Sequence, residues 1–119
     1  ALRNNRVVAM LSDQDAGKDG VFVDFLGRGA STPYGPARMS ARTGAPLLPG
    51  LAVRRGGGRH ELVISPPVDP PPEDLPLDER VRLLTQGYTA VFERFILERP
   101  DHYFWMHRRW KTRPQGEGR

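Results

Sequence analysis

Cysteine is absent from the 119 residues, which excludes a disulfide framework and any thiolate metal site. No apolar run approaches the roughly 20 residues that a membrane-spanning helix needs. No signal-peptide pattern is present either, because Ala1–Arg6 is polar and the apolar run after it is short. An initiator methionine is missing, so the sequence is expected to be a piece of a longer protein, and an upstream membrane anchor is compatible with it. Apolar residues are scarce, at 38%, while 13 Gly and 12 Pro leave little material for long regular elements. The three histidines, His60, His102 and His107, begin neither an H-x4-D/E nor an H-E-x-x-H pattern. No serine stands in G-x-S-x-G, so no nucleophile–base pair is evident. His102 and His107 are expected to pack or cap.

What is present divides into a strand-rich half (1–64), a proline-rich connector (65–76) and a helix with a tail (77–119), read as parts of one domain. Val7–Leu11 (VVAML) is a continuous apolar run and predicts a strand buried on both faces, as in a parallel sheet. The loop Asp13–Gly20 follows, at the strand end where open α/β sheets bind ligands. Val21–Phe25 (VFVDF) predicts a second strand. Gly27–Gly35 reads as a loop, and Pro36–Thr43 as a short helix capped by Gly44. Pro46 and Pro49 make Ala45–Val53 an edge or broken strand, and residues 53–64 predict a hairpin around Gly56–Gly58. Val81, Leu84, Tyr88, Val91 and Phe95 recur at helical spacing and predict a helix over Asp78–Glu98, ended by Pro100. The expected class is α/β, a mixed sheet with flanking helices and a long C-terminal helix.

Three constellations bear chemistry. Asp13-Gln14-Asp15 is a D-x-D triplet after a strand. It reads as a solvated turn, as carboxylates orienting a cationic partner, or as oxygen ligands for a divalent cation. The Gly27–Gly35 segment precedes a helix, and Arg28, Ser31 and Thr32 within it suit a phosphate or an acyl carbonyl. Residues 100–114, PDHYFWMHRRWKTRP, crowd aromatic rings and cations between two prolines. Rings and aliphatic stems suit the core, while the charged tips of Arg108, Arg109, Lys111 and Arg113 suit anions. The net charge of +4 likewise favours anionic partners. Nucleic acid is not expected, since no helix-turn-helix, zinc-finger or RNP-like pattern is present.

Taken together, several stretches resemble the C-terminal part of the bacterial lipid A biosynthesis acyltransferases, the lauroyl/myristoyl transferases of lipopolysaccharide assembly. They are MLSDQDAGKDGVFVDFLGRGAST at Met10–Thr32, GPARMSARTGAPLLP at Gly35–Pro49, ISPPVDPPP at Ile64–Pro72 and FERFILERPDHYFWMHRRWKTRP at Phe92–Pro114. The W-x-H-R-R-W-K-T-R-P tail is the most specific. The resemblance implies a fold related to the glycerolipid acyltransferases and an inner-membrane enzyme with an N-terminal anchor and a cytoplasmic active site. It implies an acyl–acyl-carrier-protein donor, a lipid A precursor hydroxyl as acceptor, and no cofactor or metal. The general base there is the His of an H-x4-D/E motif, which these residues lack, so no acyl transfer is expected from the chain alone. By the same resemblance Asp13 and Asp15 are supporting catalytic residues, Asp13 orienting a cation that stabilises the thioester oxyanion. Arg28 and Thr32 would line the acyl or phosphate path. Arg108, Arg109, Lys111 and Arg113 would meet lipid A phosphates, the membrane surface or the acidic carrier protein. A phosphatidylinositol mannoside acyltransferase is the nearest rival reading; a metal-dependent glycosyltransferase and a nucleic-acid or anionic-lipid binding module are further ones. A truncated sheet exposes an edge, so a homo-oligomer is expected.

Overall fold

The computed structural model describes residues 2–103 and 106–114; Trp105, expected in the tail, lies outside the described residues. The chain is mixed α/β. Strand β1 (Val21–Phe25) pairs antiparallel with β2 (Arg28–Thr32), helix α1 (Gly35–Thr43) follows, and β3 (Gly50–Gly56) pairs antiparallel with β4 (Arg59–Ile64). Helix α2 (Leu77–Glu98) comes last, with single 3-10 turns at Leu2–Asn4, Gly17–Asp19 and Pro100–His102.

The strand arrangement differs from expectation. The strands form two separate two-stranded sheets rather than one mixed sheet. Val7–Leu11 is not a buried strand: Val7 is 93% and Leu11 96% exposed, and no strand among the described residues pairs with the run. A strand buried on both faces needs neighbours on both edges and layers on both sides, and the described residues supply neither.

The segment read as a loop over Gly27–Gly35 holds β2. Its turn is the two residues Leu26-Gly27, with φ of 55° and 79°, a type I′ geometry. Leucine is a poor occupant of left-handed backbone. Its amide here donates to Glu93 Oε1 on α2. Gln86 completes the same edge, accepting from Asp24 N at 2.8 Å and donating to Asp24 O at 2.9 Å. The open edge of β1 is thus closed by helix side chains. The shorter helix forms as expected, with Pro36 in its first turn and Gly44 at φ 78° capping it. The hairpin over 53–64 also forms, lengthened back to Gly50 and bulged at Arg54/Gly56.

Helix α2 is the spine. Val81, Leu84 and Tyr88 bury against Ala37 of α1, and Val21, Tyr34, Leu47 and Val68 pack around them. About two turns further on, Ile96 packs with Phe25 and Ala30 of the first hairpin, joined by Leu26, Phe95, Tyr103 and Trp110. The Tyr88 hydroxyl donates to Pro33 O. The proline connector does not hold the halves apart. Val68 N donates to Leu47 O at 2.8 Å, and Ser65 N to Pro49 O at 2.8 Å.

Gly87 lies where Val68 crosses α2, and a Cβ placed there would land on Val68 Cγ1. Propensity alone says that Gly87→Ala stabilises an exposed helix by about 1 kcal/mol. Overpacking costs about 1–3 kcal/mol and wins. Urea denaturation should therefore show Gly87→Ala less stable than the parent, with Val68→Ala in the same chain recovering most of the loss. A gain from Gly87→Ala alone would contradict this packing.

Candidate functional site

The tail folds back onto the first hairpin. Trp110 stacks on Phe25, centroids 5.4 Å apart with the rings 17° from parallel, and its Nε1 donates to Phe25 O at 3.3 Å. Tyr103 meets the same ring edge-on at 5.8 Å. Arg109 is buried, 2% exposed. Its Nη1 donates to Ser31 O and its Nη2 to Thr32 Oγ1, both at 2.6 Å, and its Cζ lies 5.5 Å from the Phe25 ring centroid. Burial pushes this guanidinium below the usual arginine range, while Tyr103, Asp15, Tyr88 and Asp13 pull the other way. It stays charged throughout the physiological range.

The tail also grips the D-x-D loop. Asp15 N donates to His107 Nε2 at 2.9 Å, and Thr112 Oγ1 donates to Asp15 Oδ2 at 2.9 Å. Gly17 N donates to the same oxygen at 2.9 Å. Asp15 Oδ1 is enclosed and has no hydrogen-bond partner among the described residues. Across the loop, Ala16 N donates to Ser31 O at 3.2 Å and Ser31 Oγ to Gly17 O. Asp13 is different. Its side chain is exposed, and its backbone oxygen accepts from the Tyr103 hydroxyl at 3.2 Å.

Asp13 lies on the rim of a cavity of about 360 Å³. One wall is α2, through Thr89, Phe92, Phe95 and Ile96; the opposite one is the second hairpin, through Leu51, Ala52 and Leu62. Ser12, Asp13, His102 and Arg109 supply polar groups to a largely apolar lining. A mostly apolar pocket with a few convergent polar groups is the usual form of a small-molecule or acyl site.

The structure sorts the expected residues. Asp13, Asp15 and Arg109 come together, with Thr32 behind Arg109. Arg108, Lys111 and Arg113 point to solvent, and Arg28 is exposed at the start of β2. Gly29, beside Arg28, faces Pro114, so the hairpin and the end of the tail share one surface. Thr32 and Arg109 face inward and bond each other rather than solvent. No three His, Cys, Asp or Glu side chains among the described residues are grouped to hold a metal ion. His102 and His107 pack or cap, as read from their setting. The His107 acceptor bond is given above, and His102 Nε2 accepts from Arg54 N at 3.2 Å. The His102 ring meets Phe95 edge-on at 5.6 Å and its Nδ1 lies 3.0 Å from Asp101 Oδ1. That bond holds the Asp101 carboxyl below the usual carboxylate range, with Arg54 adding to it. His60 is exposed on β4. Sequence reasoning missed Thr112 altogether and gave His107 no partner. No local pattern joins either to a loop more than 90 residues earlier. Among the described residues no helix is long and apolar enough to cross a membrane.

Residues 1–112 match the family described as bacterial lipid A biosynthesis acyltransferase. The chain belongs to this family. It is 34% identical over 119 residues to the lipid A biosynthesis lauroyltransferase of Escherichia coli (strain K12), covering 98% of this chain and 37% of that protein. It is 32% identical over 120 residues to the lipid A biosynthesis palmitoleoyltransferase of the same strain, with 98% and 37% covered. It is 33% identical over 109 residues to the phosphatidylinositol mannoside acyltransferase of Mycobacterium tuberculosis (strain ATCC 25618 / H37Rv), with 92% and 32% covered. The chain thus spans about a third of the length of the curated relatives that it matches.

Two predictions follow from the buried groups. Arg109→Ala removes two charge-assisted bonds and leaves a cavity. It should lower the unfolding free energy by about 3 kcal/mol, read by urea denaturation. Arg109→Lys should recover less than half, because one ammonium cannot serve both acceptors. Burial pushes the Tyr88 and Tyr103 hydroxyls up to about 12. In the unfolded chain they ionise near 10. The unfolded state therefore loses these protons first, so this stability is complete below about pH 10 and fades from there to about pH 12. Tyrosine absorbance in alkali should rise in step with unfolding; full ionisation of both by pH 10.5 in the folded protein would contradict the burial.

Proposed function

We propose that the chain is the C-terminal part of an acyltransferase domain related to the glycerolipid acyltransferases. In this reading the whole enzyme moves a fatty acyl chain from an acyl–acyl-carrier-protein thioester to a hydroxyl of a lipid A precursor, at the cytoplasmic face of the inner membrane. The family match over residues 1–112 carries the proposal. The cavity supports it, since its apolar walls suit an alkyl chain and its polar rim suits a thioester. The exposed cations Arg28, Arg108, Lys111 and Arg113 suit lipid A phosphates, anionic headgroups or the acidic carrier protein.

The base belongs to the family's H-x4-D/E motif, which these 119 residues do not contain. It takes the proton of the acceptor hydroxyl, whose oxygen attacks the thioester carbonyl. The carbonyl oxygen becomes an oxyanion, then collapses to the ester and expels the thiolate. In this reading Asp13 is the residue of this chain that acts on that step, by orienting a cationic group. Arg109, buried in the same lining, is a fixed positive charge in reach of its field. Asp15 supports Asp13 through the loop.

Acceptors of the phosphatidylinositol mannoside type are the second reading, supported by the 33% identity to the mycobacterial enzyme. Family membership sets the chain with acyltransferases rather than with metal-dependent glycosyltransferases.

The test is turnover by the enzyme that carries both this chain and the H-x4-D/E segment. Asp13→Asn should lower kcat about 100-fold with KM little changed, and the 119-residue chain alone should transfer no acyl group. Wild-type turnover by Asp13→Asn would end the assignment of Asp13. Acyl transfer by the isolated chain would end the fragment reading. Preference for a mannosylated phosphatidylinositol over a lipid A precursor would select the second acceptor.

A further inference from the structure

We propose that His107 and Thr112 are positioning residues: from the far end of the chain, and through Asp15, they set the conformation of the loop that carries Asp13. Neither has a part in the reaction as read above.

Asp15 is held at two independent points. Its amide donates to His107 Nε2 at 2.9 Å, and its Oδ2 accepts from Thr112 Oγ1 at 2.9 Å. The partners lie 92 and 97 residues along the chain, so local geometry does not dictate these contacts. Gly17 N closes an Asx-type turn on the same oxygen, and Ala16 N bonds Ser31 O on β2. Residues 15–17 are therefore fixed from the tail and from the first hairpin together. Asp13 is two residues upstream; it lines the cavity, its backbone oxygen is bonded to the Tyr103 hydroxyl, and its side chain is exposed. Only one residue separates the anchored Asp15 from Asp13. Few soft dihedrals remain between them, so the carboxylate inherits the position of the anchor.

The tail divides its labour by residue. His107 and Thr112 face the loop and Arg109 and Trp110 face the hairpin, while Arg108, Lys111 and Arg113 stay exposed. The crowding of aromatic and basic types in 106–114 is thereby explained as a buckle with one buried cation, Arg109, on its inner side and three exposed cations on its outer side. Catalytic consequences of this buckle rest on the proposed role of Asp13; the geometry of the loop does not.

The experiment has two arms. In the isotopically labelled 119-residue chain, NMR should detect a scalar ¹⁵N–¹⁵N coupling across the hydrogen bond from Asp15 N to His107 Nε2. His107→Ala should raise amide exchange at Asp15 and Gly17 at least tenfold, while Phe25 and Ala30 keep their protection. His107→Gln, whose side-chain carbonyl can accept the same amide, should restore most of it. Thr112→Val, which preserves shape and removes the hydroxyl, should raise exchange at the same two positions severalfold. In the acyltransferase carrying the H-x4-D/E segment, His107→Ala should lower kcat at least tenfold with KM little changed, and His107→Gln should recover it. Absence of the coupling, unchanged exchange in His107→Ala and Thr112→Val, or a His107→Gln variant no better than His107→Ala would overturn the proposal. Faster loop exchange with undiminished turnover would support the buckle and remove Asp13 from the chemistry.

Discussion

Burial of the Arg109 guanidinium against β2 is the interaction on which the arrangement of the chain's two ends depends. A charge taken out of water costs several kcal/mol unless it is paired and hydrogen-bonded. Here Ser31 O and Thr32 Oγ1 accept its protons, Phe25 offers a ring face, and the carboxylates of Asp13 and Asp15 lie within electrostatic reach. Ser31 O also takes Ala16 N. One carbonyl oxygen thus joins the acidic loop and the second strand to the tail, which lies far away in sequence. The Phe25–Trp110 stack supplies apolar burial beside it, so these charge-assisted hydrogen bonds sit in a partly dry setting where they are strong.

The long helix makes that convergence useful. Its first half meets α1 and the proline connector, its second half meets the first hairpin, and its Phe92, Phe95 and Ile96 face the cavity. One rigid element therefore sets both the core and the apolar wall of the candidate acyl site. Under the proposed function that wall would hold an alkyl chain. The identity is moderate but runs across nearly the whole chain.

Both helices were legible because their signals are local. Spacing of Val81, Leu84 and Tyr88 marks α2, and Pro36 with Gly44 brackets α1. The second hairpin announces itself through Gly56–Gly58. The first hairpin does not, since Leu26-Gly27 lacks the Asn or Asp that usually marks a type I′ turn and Arg28–Thr32 is rich in small polar residues. Thr85 and Thr89, buried on α2, escaped a search for apolar periodicity for the same reason. Val7–Leu11 misled in the opposite sense: composition states what a run would bury, and only partners decide whether it does. At the site, the acidic pair and the basic-aromatic tail stood out by residue type. Their meeting is a long-range contact, and neither spacing nor propensity encodes one.

The left-handed Leu26 carries a last consequence. A leucine in that conformation is strained by roughly 1–2 kcal/mol, and its amide is bonded to Glu93 of α2. The hairpin tip therefore works as a gauge of helix register. A helix displaced by one pitch, about 5.4 Å, would carry the Glu93 carboxylate out of range and let the tip relax. The bend at β1–β2 and the axial placement of the spine are two readings on one scale.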